Sequence, residues 1–280
     1  MAIRKIHAPV LGSDESRWVI SAALDLAETF DAFVEVFHPK RDPALDLAYL
    51  GPGATGMGAG VGAARILEAA EAQANEQETK AREAYAQATR DRPARHDFVV
   101  ETGREAELMA AHARLADITV MARPQDTSSP TLEGGIEACL FESGHPVYLV
   151  PPGPGPLSGK KVGIAWNDSP EAAHAVSAAL PFLERAEMVT AISIGGYSLD
   201  RLGEYLSLHG ITSAAHSVEQ DSSGLLEDTT GEQILDICRH LQLDLLVMGA
   251  YTHLRIRQLI VAGATRTVLA RSPIPILMAH

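Results

Sequence analysis

The chain has 280 residues, of which 36 are acidic and 23 are basic, and its formal net charge is −13. This balance argues against nucleic acid as a partner, because phosphate binding needs clustered lysine and arginine and neither half of the chain has such a cluster. The same charge argues against docking on anionic membranes. The hydrophobic fraction of 46% is sufficient for two cores of ordinary size.

No stretch of about 18 apolar residues is found, so we expect no membrane span, and we expect no signal peptide at the start. The two cysteines, Cys139 and Cys238, are too few for a disulfide scaffold. We therefore expect reduced thiols in a cytoplasmic protein.

Strand and helix patterns alternate along the chain, which predicts parallel strands joined by crossover helices. In the first half, strands are predicted at residues 6–10, 33–37, 97–101, 118–121 and 147–150, and helices around 18–27, 66–90, 104–115 and 132–142. In the second half, strands are predicted at 162–166, 188–194, 211–218, 245–248 and 276–279, and helices at 170–183, 199–208, 231–241 and 264–271. The Pro-Pro-Gly-Pro-Gly-Pro run at 151–156 can neither continue a helix nor donate ladder hydrogen bonds. We therefore predict domains at 1–150 and 160–280, with a linker at 151–159.

The two halves resemble each other, which indicates two divergent copies of one α/β unit. Asp117-Ile-Thr-Val-Met-Ala and Asp244-Leu-Leu-Val-Met-Gly correspond, with an offset of 244 − 117 = 127. Leu11 aligns with Asn167, an offset of 156, so the first half carries 156 − 127 = 29 additional residues. We place this insertion at about 42–70, as a Gly-rich loop followed by extra helix.

The insertion contains Gly-Pro-Gly-Ala-Thr-Gly at residues 51–56, a formal match to the dinucleotide-binding fingerprint. That fingerprint requires a strand immediately before its first glycine, and here the preceding strand is predicted to end near His38. We therefore interpret the segment as a flexible loop.

The end of the fourth strand in the second half is the most informative place for a ligand. Gly249 ends the strand, a polar and basic loop with His253 and Arg255 follows, and Gly263 precedes a helix. Glycine allows a phosphate to approach the backbone, and a helix start presents free N–H groups. Two alternatives stay open: the glycines only make tight turns, and the basic residues only form a solvated loop.

Residues 244–280, 164–171 and 178–183 resemble universal stress proteins, in the tandem form with two such domains in one chain. The resemblance covers nearly all of both halves and least of the insertion. It implies a Rossmann-like, doubly wound α/β fold in each domain: a five-stranded parallel sheet with helices on both faces and strand order 3-2-1-4-5. Members often form homodimers through the last strand, and some of them bind ATP.

The family's ATP pattern is Gly, two residues, Gly, nine residues, Gly, then Ser or Thr, with an acidic adenine contact after the first strand. Gly249 fits the first position, whereas Thr252, Ala262 and Gly263 depart from the others. The adenine position is Asn167, beside Asp168, and an amide can still accept and donate a hydrogen bond. The resemblance thus implies a site in the second half formed by the following residues: Asn167, Asp168, Gly249, Thr252, His253, Arg255, Gly263 and Thr265.

The first half departs further from that pattern, because Leu11 takes the acidic position and Ala122-Arg123-Pro124 follows in place of the first glycine. We expect no nucleotide there and a structural role for this half. The favoured function is a non-catalytic, ligand-sensing stress protein that binds ATP or another anion in its second half.

A scaffold for protein partners or self-association, without a small ligand, is the alternative, and an ATP hydrolase with Asp168 as its carboxylate is the third hypothesis. No metal is expected, because the histidines show no ligand spacing on any one element.

Overall fold

Strands and helices alternate through the computed structural model, which describes residues 2–45, 60–124, 130–153, 159–219, 227–250 and 263–280. The strands are β1 (Lys5–Pro9), β2 (Phe33–Arg41), β3 (Arg95–Gly103), β4 (Ile118–Ala122), β5 (Val147–Val150), β6 (Lys161–Trp166), β7 (Met188–Ile194), β8 (Ser213–Val218), β9 (Leu245–Gly249) and β10 (Ile276–Ala279). The helices are α1 (Ser16–Phe30), α2 (Gly60–Ala88), α3 (Glu105–Ala113), α4 (Pro130–Glu142), α5 (Pro170–Leu183), α6 (Asp200–Leu208), α7 (Glu227–His240) and α8 (Ala264–Arg271).

All ten strands form one sheet, in the order β3-β2-β1-β4-β5-β10-β9-β6-β7-β8. Each half has the order 3-2-1-4-5 with parallel neighbours, so the predicted α/β fold and strand order are confirmed. The halves meet where β5 pairs antiparallel with β10. The boundaries of the two domains stay a prediction, and residues 154–158 of the linker lie outside the described residues.

Helices cover both faces of the sheet and define two apolar layers. One layer contains α1, α2, α5 and α6, and the other contains α3, α4, α7 and α8.

Cys139 and Cys238 both lie buried and free in the second layer. Burial raises the pKa of each thiol to about 12, so both are poor nucleophiles. Among the described residues, no helix has both the length and the apolar character needed to cross a bilayer.

Aromatic side chains from both halves pack together beneath the β5–β10 junction. Tyr148 on β5 is 1% exposed, and its ring stacks on that of Phe182 of α5, with 5.9 Å between ring centres. Phe182 in turn meets Phe30 of α1 edge-on at 4.9 Å, and the Arg185 guanidinium lies 4.9 Å from the Phe30 ring centre. The two halves therefore share one core as well as one sheet.

Candidate functional site

Two of the predicted site residues come together at the carboxyl edge of the second-half sheet. Ala165 of β6 pairs with Met248 of the parallel strand β9, so Asn167 and Gly249 emerge at the same edge. Doubly wound sheets bind ligands at such an edge, where the strand order reverses. Thr252, His253, Arg255 and Ala262 lie outside the described residues, as do the 51–56 glycine run and the first-half loop at 125–129.

A tight turn after β6 presents Asn167 and Asp168 to solvent. The Asn167 Oδ1 accepts a hydrogen bond from the Ser169 backbone N–H at 3.3 Å, and Asp168 has a left-handed backbone with φ 57°. The Ser169 hydroxyl then caps α5 by accepting from the Ala172 N–H at 3.1 Å. Both predicted side chains are exposed at the sheet edge.

Gly249 is required by packing between β9 and the first turn of α5. A Cβ at this position would lie 2.5 Å from the Ala172 nitrogen and 2.7 Å from the Glu171 carbonyl carbon. Both are backbone atoms, so a side chain would push the helix away from the strand. Neither a tight turn nor phosphate approach is needed to explain this glycine. Close to it, the Glu171 Oε2 is buried without a hydrogen-bond partner among the described residues.

The start of α8 carries the two remaining predicted residues. Gly263 is the N-cap and has an extended backbone with φ −174°, a conformation open to any residue. Thr265 lies half-buried in the first turn. The turn packs against α7, where a Cβ on Gly231 would lie 2.8 Å from the Ala264 carbonyl oxygen. This packing fixes the α8 start against α7.

A surface pocket of about 380 Å³ opens at the carboxyl ends of β7 and β8. Residues 196–200 line it, together with Ala215, Ser217 and Val218 of β8 and the following Glu219. Because Trp166 pairs with Ser193, the pocket begins one strand away from Asn167. Sequence analysis did not predict it, although the paired glycines at 195 and 196, which both have positive φ, offered a signal for a turn there.

The corresponding edge of the first half is covered by the long helix α2. Gly12, the counterpart of Asp168, has φ 72°, and a Cβ there would lie 2.2 Å from the Gln77 carbonyl oxygen of α2. The Lys40 ammonium at the end of β2 donates to Asn75 at 2.7 Å and to Glu78 at 2.9 Å. Helix α2 has 29 residues, whereas its counterpart α6 has nine and, within the described part of the chain, does not cover its edge.

The first-half residue after β4 reaches into the second half. Arg123, the counterpart of Ala250, is 8% exposed, and its Nη1 donates to the carbonyl oxygens of Leu269 at 2.7 Å and Ala270 at 2.6 Å. These are last-turn carbonyls of α8, which otherwise lack partners in the helix. Burial lowers the pKa of Arg123, but a guanidinium stays charged at any working pH. The residue after β4 in the first half thus caps a helix of the second half.

We expect Arg123→Met to lower the free energy of unfolding by about 2–3 kcal/mol, because charged hydrogen bonds to buried carbonyls are lost. Urea unfolding followed by circular dichroism measures this. Arg114→Met is the matched control, since Arg114 also donates to a helix-end carbonyl, that of Glu142 at 3.0 Å, but is exposed. The control should change stability by less than about 0.5 kcal/mol. Equal effects of the two substitutions would contradict the interdomain cap.

A polar cluster in the first half was missed by sequence analysis. His7 on β1, Glu35 on β2 and His112 on α3 have ligand atoms that all lie within 4.8 Å of one another. Glu35 Oε1 lies 2.8 Å from His112 Nδ1 and 3.4 Å from His7 Nδ1, and Glu35 Oε2 lies 2.8 Å from the Lys5 ammonium. Histidine spacing along single elements gave no signal, because the three residues lie on three elements.

The cluster has a marked electrostatic character. Burial lowers the pKa of His7, which favours a neutral ring. Burial alone would raise the pKa of Glu35, but its contacts with His7, Lys5 and His112 outweigh that effect and hold the pKa of the carboxyl well below its usual range. Glu35 is therefore a carboxylate in contact with two imidazoles, a set of donors suited to a metal ion.

Comparison with solved structures identifies the fold. A universal stress protein from Archaeoglobus fulgidus DSM 4304 is 16% identical, with a TM-score of 0.63, over 98% of this chain and 95% of that one. A protein of Pseudomonas aeruginosa UCBPP-PA14 assigned to the same group is 14% identical, with a TM-score of 0.59, over 99% of this chain and 93% of that one. No protein-family model and no curated protein sequence matches the chain. Both halves therefore share the fold of universal stress protein structures.

Proposed function

We propose that this chain is a tandem universal stress protein that binds ATP or another anionic ligand in its second half only, without catalysis. The asymmetry of the two sheet edges carries this proposal. The first-half edge lies under helix α2, which touches Gly12, whereas the second-half edge exposes Asn167 and Asp168 beside a pocket of about 380 Å³. Among the residues that the structure describes, a ligand therefore has space at the second-half edge and not at the first-half edge.

The chemistry at the open edge suits an adenine nucleotide in two respects. Asn167 is exposed and carries both a donor and an acceptor for the edge of a base. The α8 start, with Gly263 and Thr265, offers backbone N–H groups and a hydroxyl for phosphate. Because the chain has a net charge of −13, binding of an anion must rely on such local groups and on Arg255 and His253.

The proposal is tested by the melting temperature of the full chain with increasing ATP. A ligand that binds only the folded state stabilises it, by about 2.7 kcal/mol at a hundredfold excess over Kd, so the melting temperature should rise. Arg255→Ala should abolish the rise. Arg17→Ala is the control, because Arg17 is exposed near the corresponding first-half edge. Asn167→Asp should strengthen ATP binding, since a carboxylate accepts more strongly than an amide from the adenine amino group.

A scaffold without a small ligand is the second candidate. The packing role of Gly249 favours it, because this glycine is explained without a phosphate. The differences from the family's ATP pattern at Thr252, Ala262 and Gly263 favour it as well. An unchanged melting temperature at millimolar ATP, in the native chain and in Arg255→Ala alike, would support it.

ATP hydrolysis with Asp168 as the carboxylate is the third hypothesis. We expect the phosphate released from ATP to be no higher than that of a buffer blank, which would exclude it.

We further propose that the protein is cytoplasmic and that the chain folds as domains 1–150 and 160–280. The β5–β10 pairing occupies both last strands within one chain. A homodimer of the tandem chain, if formed, would consequently use another surface.

A further inference from the structure

We propose that His7, Glu35 and His112 form a site for one divalent transition-metal ion of the zinc class. This site lies in the half to which no ligand is assigned, and it is independent of the proposed nucleotide site. Two imidazoles and one carboxylate are a donor set that zinc accepts, with water in a fourth position. The three side chains come from β1, β2 and α3, so an ion would connect elements that are distant in sequence.

One of the two distances to Glu35 Oε1 already fits tetrahedral coordination, and the other requires a small shift of one ring. Metal bonds of 2.0–2.1 Å in a tetrahedron place ligand atoms about 3.4 Å apart. The His7 Nδ1 and Glu35 Oε1 are already 3.4 Å apart. The 2.8 Å between His112 Nδ1 and Glu35 Oε1 would have to widen by about 0.6 Å. His112 has a side chain exposed to 20%, so its ring has room for that shift.

His7 provides independent evidence for a bound ion at this cluster. Its side chain is completely buried, yet neither ring nitrogen has a hydrogen-bond partner among the described residues, because its approach to Glu35 lacks hydrogen-bonding geometry. The Thr119 hydroxyl, at the same register on β4, is likewise buried without a partner. Leaving such groups unpaired is costly, and an ion on Nδ1 would satisfy the nitrogen that faces Glu35.

The surrounding groups orient the ligands as metal sites require. His112 Nε2 lies 3.1 Å from Glu101 Oε2, so with an ion on Nδ1 the Nε2–H would donate outward to that carboxylate. The Lys5 ammonium holds Oε2 of Glu35 and leaves Oε1 turned towards both rings. In the metal-free chain, the His112 Nδ1 lies 2.8 Å from Glu35 Oε1 in a hydrogen bond, and a bound ion would replace that proton.

A competing arrangement uses a proton in place of the ion. His112 as an imidazolium would bridge Glu35 and Glu101, and the cluster would then be a buried ion-pair network with no metal dependence. The two arrangements differ in one measurable respect, because only the first gains stability from added metal. The side chains of His112 and Glu35 are 20% and 13% exposed, so the cluster is in contact with solvent.

The test uses the full chain after removal of metal with a chelator. Titration calorimetry with zinc sulfate should give one ion per chain, and the melting temperature should rise with zinc. Cobalt(II) should give the visible absorption of a tetrahedral ion. His112→Ala should weaken zinc binding by more than about 100-fold, and Glu101→Gln by about 10-fold. His145→Ala is the control, because His145 lies in the same half outside the cluster.

Folding of each variant is checked by its metal-free circular dichroism and melting temperature. If His112→Ala does not fold, the Glu101→Gln affinity decides, because that exposed carboxylate is not a ligand. Absence of zinc binding to the native chain would overturn the proposal in favour of the protonated network. Equal zinc affinities of His112→Ala, or of Glu101→Gln in its place, and His145→Ala would overturn it as well, since they would show an adventitious ion only.

Discussion

Replacing Gly12 with alanine is expected to lower the free energy of unfolding by more than about 4 kcal/mol. Two effects add. The left-handed backbone at this position, with φ 72°, costs a residue with a Cβ about 1–2 kcal/mol. In addition, the new Cβ would lie 2.2 Å from the Gln77 carbonyl oxygen and 2.7 Å from its carbonyl carbon, so helix α2 must move off the sheet edge.

Urea unfolding measures this loss, and Asp168→Ala is the matched control. Asp168 is the second-half counterpart and has φ 57°, but it is exposed, so its substitution tests the backbone term alone. We expect the control to lose at most about 2 kcal/mol. A Gly12→Ala protein as stable as Asp168→Ala would show that α2 does not press on the first-half edge. The explanation that α2 closes the first-half sheet edge at Gly12 would then be wrong.

Replacing Tyr148 with alanine should lower the free energy of unfolding by about 3–5 kcal/mol, as for other large core residues. The ring is buried where β5 meets β10, opposite Leu277, and it stacks on Phe182 from the other half. The resulting cavity would therefore weaken both halves. Calorimetry and urea unfolding measure the effect.

Tyr148→Phe is the control, because it keeps the ring and should cost less than about 1.5 kcal/mol. We expect the Tyr148→Ala protein to unfold in one cooperative transition shifted as a whole, since the halves share a core. A variant in which one transition shifts and a second stays in place would contradict that shared core.

Local patterns predicted most elements, and α5, β5, β7, α8 and β10 have the predicted bounds. Other elements differ from their predicted bounds, and β2 is one of them, because it continues four residues past the predicted end, through Pro39. Phe33 donates to Arg4 and Phe37 accepts from Val10, so odd-numbered residues of β2 face β1. At Pro39 that neighbour has ended, and the missing N–H removes no ladder bond. Sequence alone cannot show which neighbour a proline faces.

The site was less accessible to sequence reasoning, because its determinants are contacts between distant segments. The family resemblance placed Asn167 and Gly249 at one edge, but the close packing of α5 against Gly249 depends on the three-dimensional structure. The same holds for the closure of Gly12 by Gln77. His112 lies 77 residues from Glu35, so no spacing rule could join them.

The antiparallel pairing of β5 with β10 also limits how the protein can be divided. Its residues on the β5 side, from Val147 to Val150, are all buried. A fragment cut at the linker would expose this short apolar edge, and such edges recruit other strands, including those of an identical fragment. In the intact chain the two halves are covalently linked, so β5 pairs with β10 intramolecularly and the pairing does not depend on protein concentration. Measurements on a fragment that contains only one copy would consequently describe an oligomer formed through this edge and not an isolated copy.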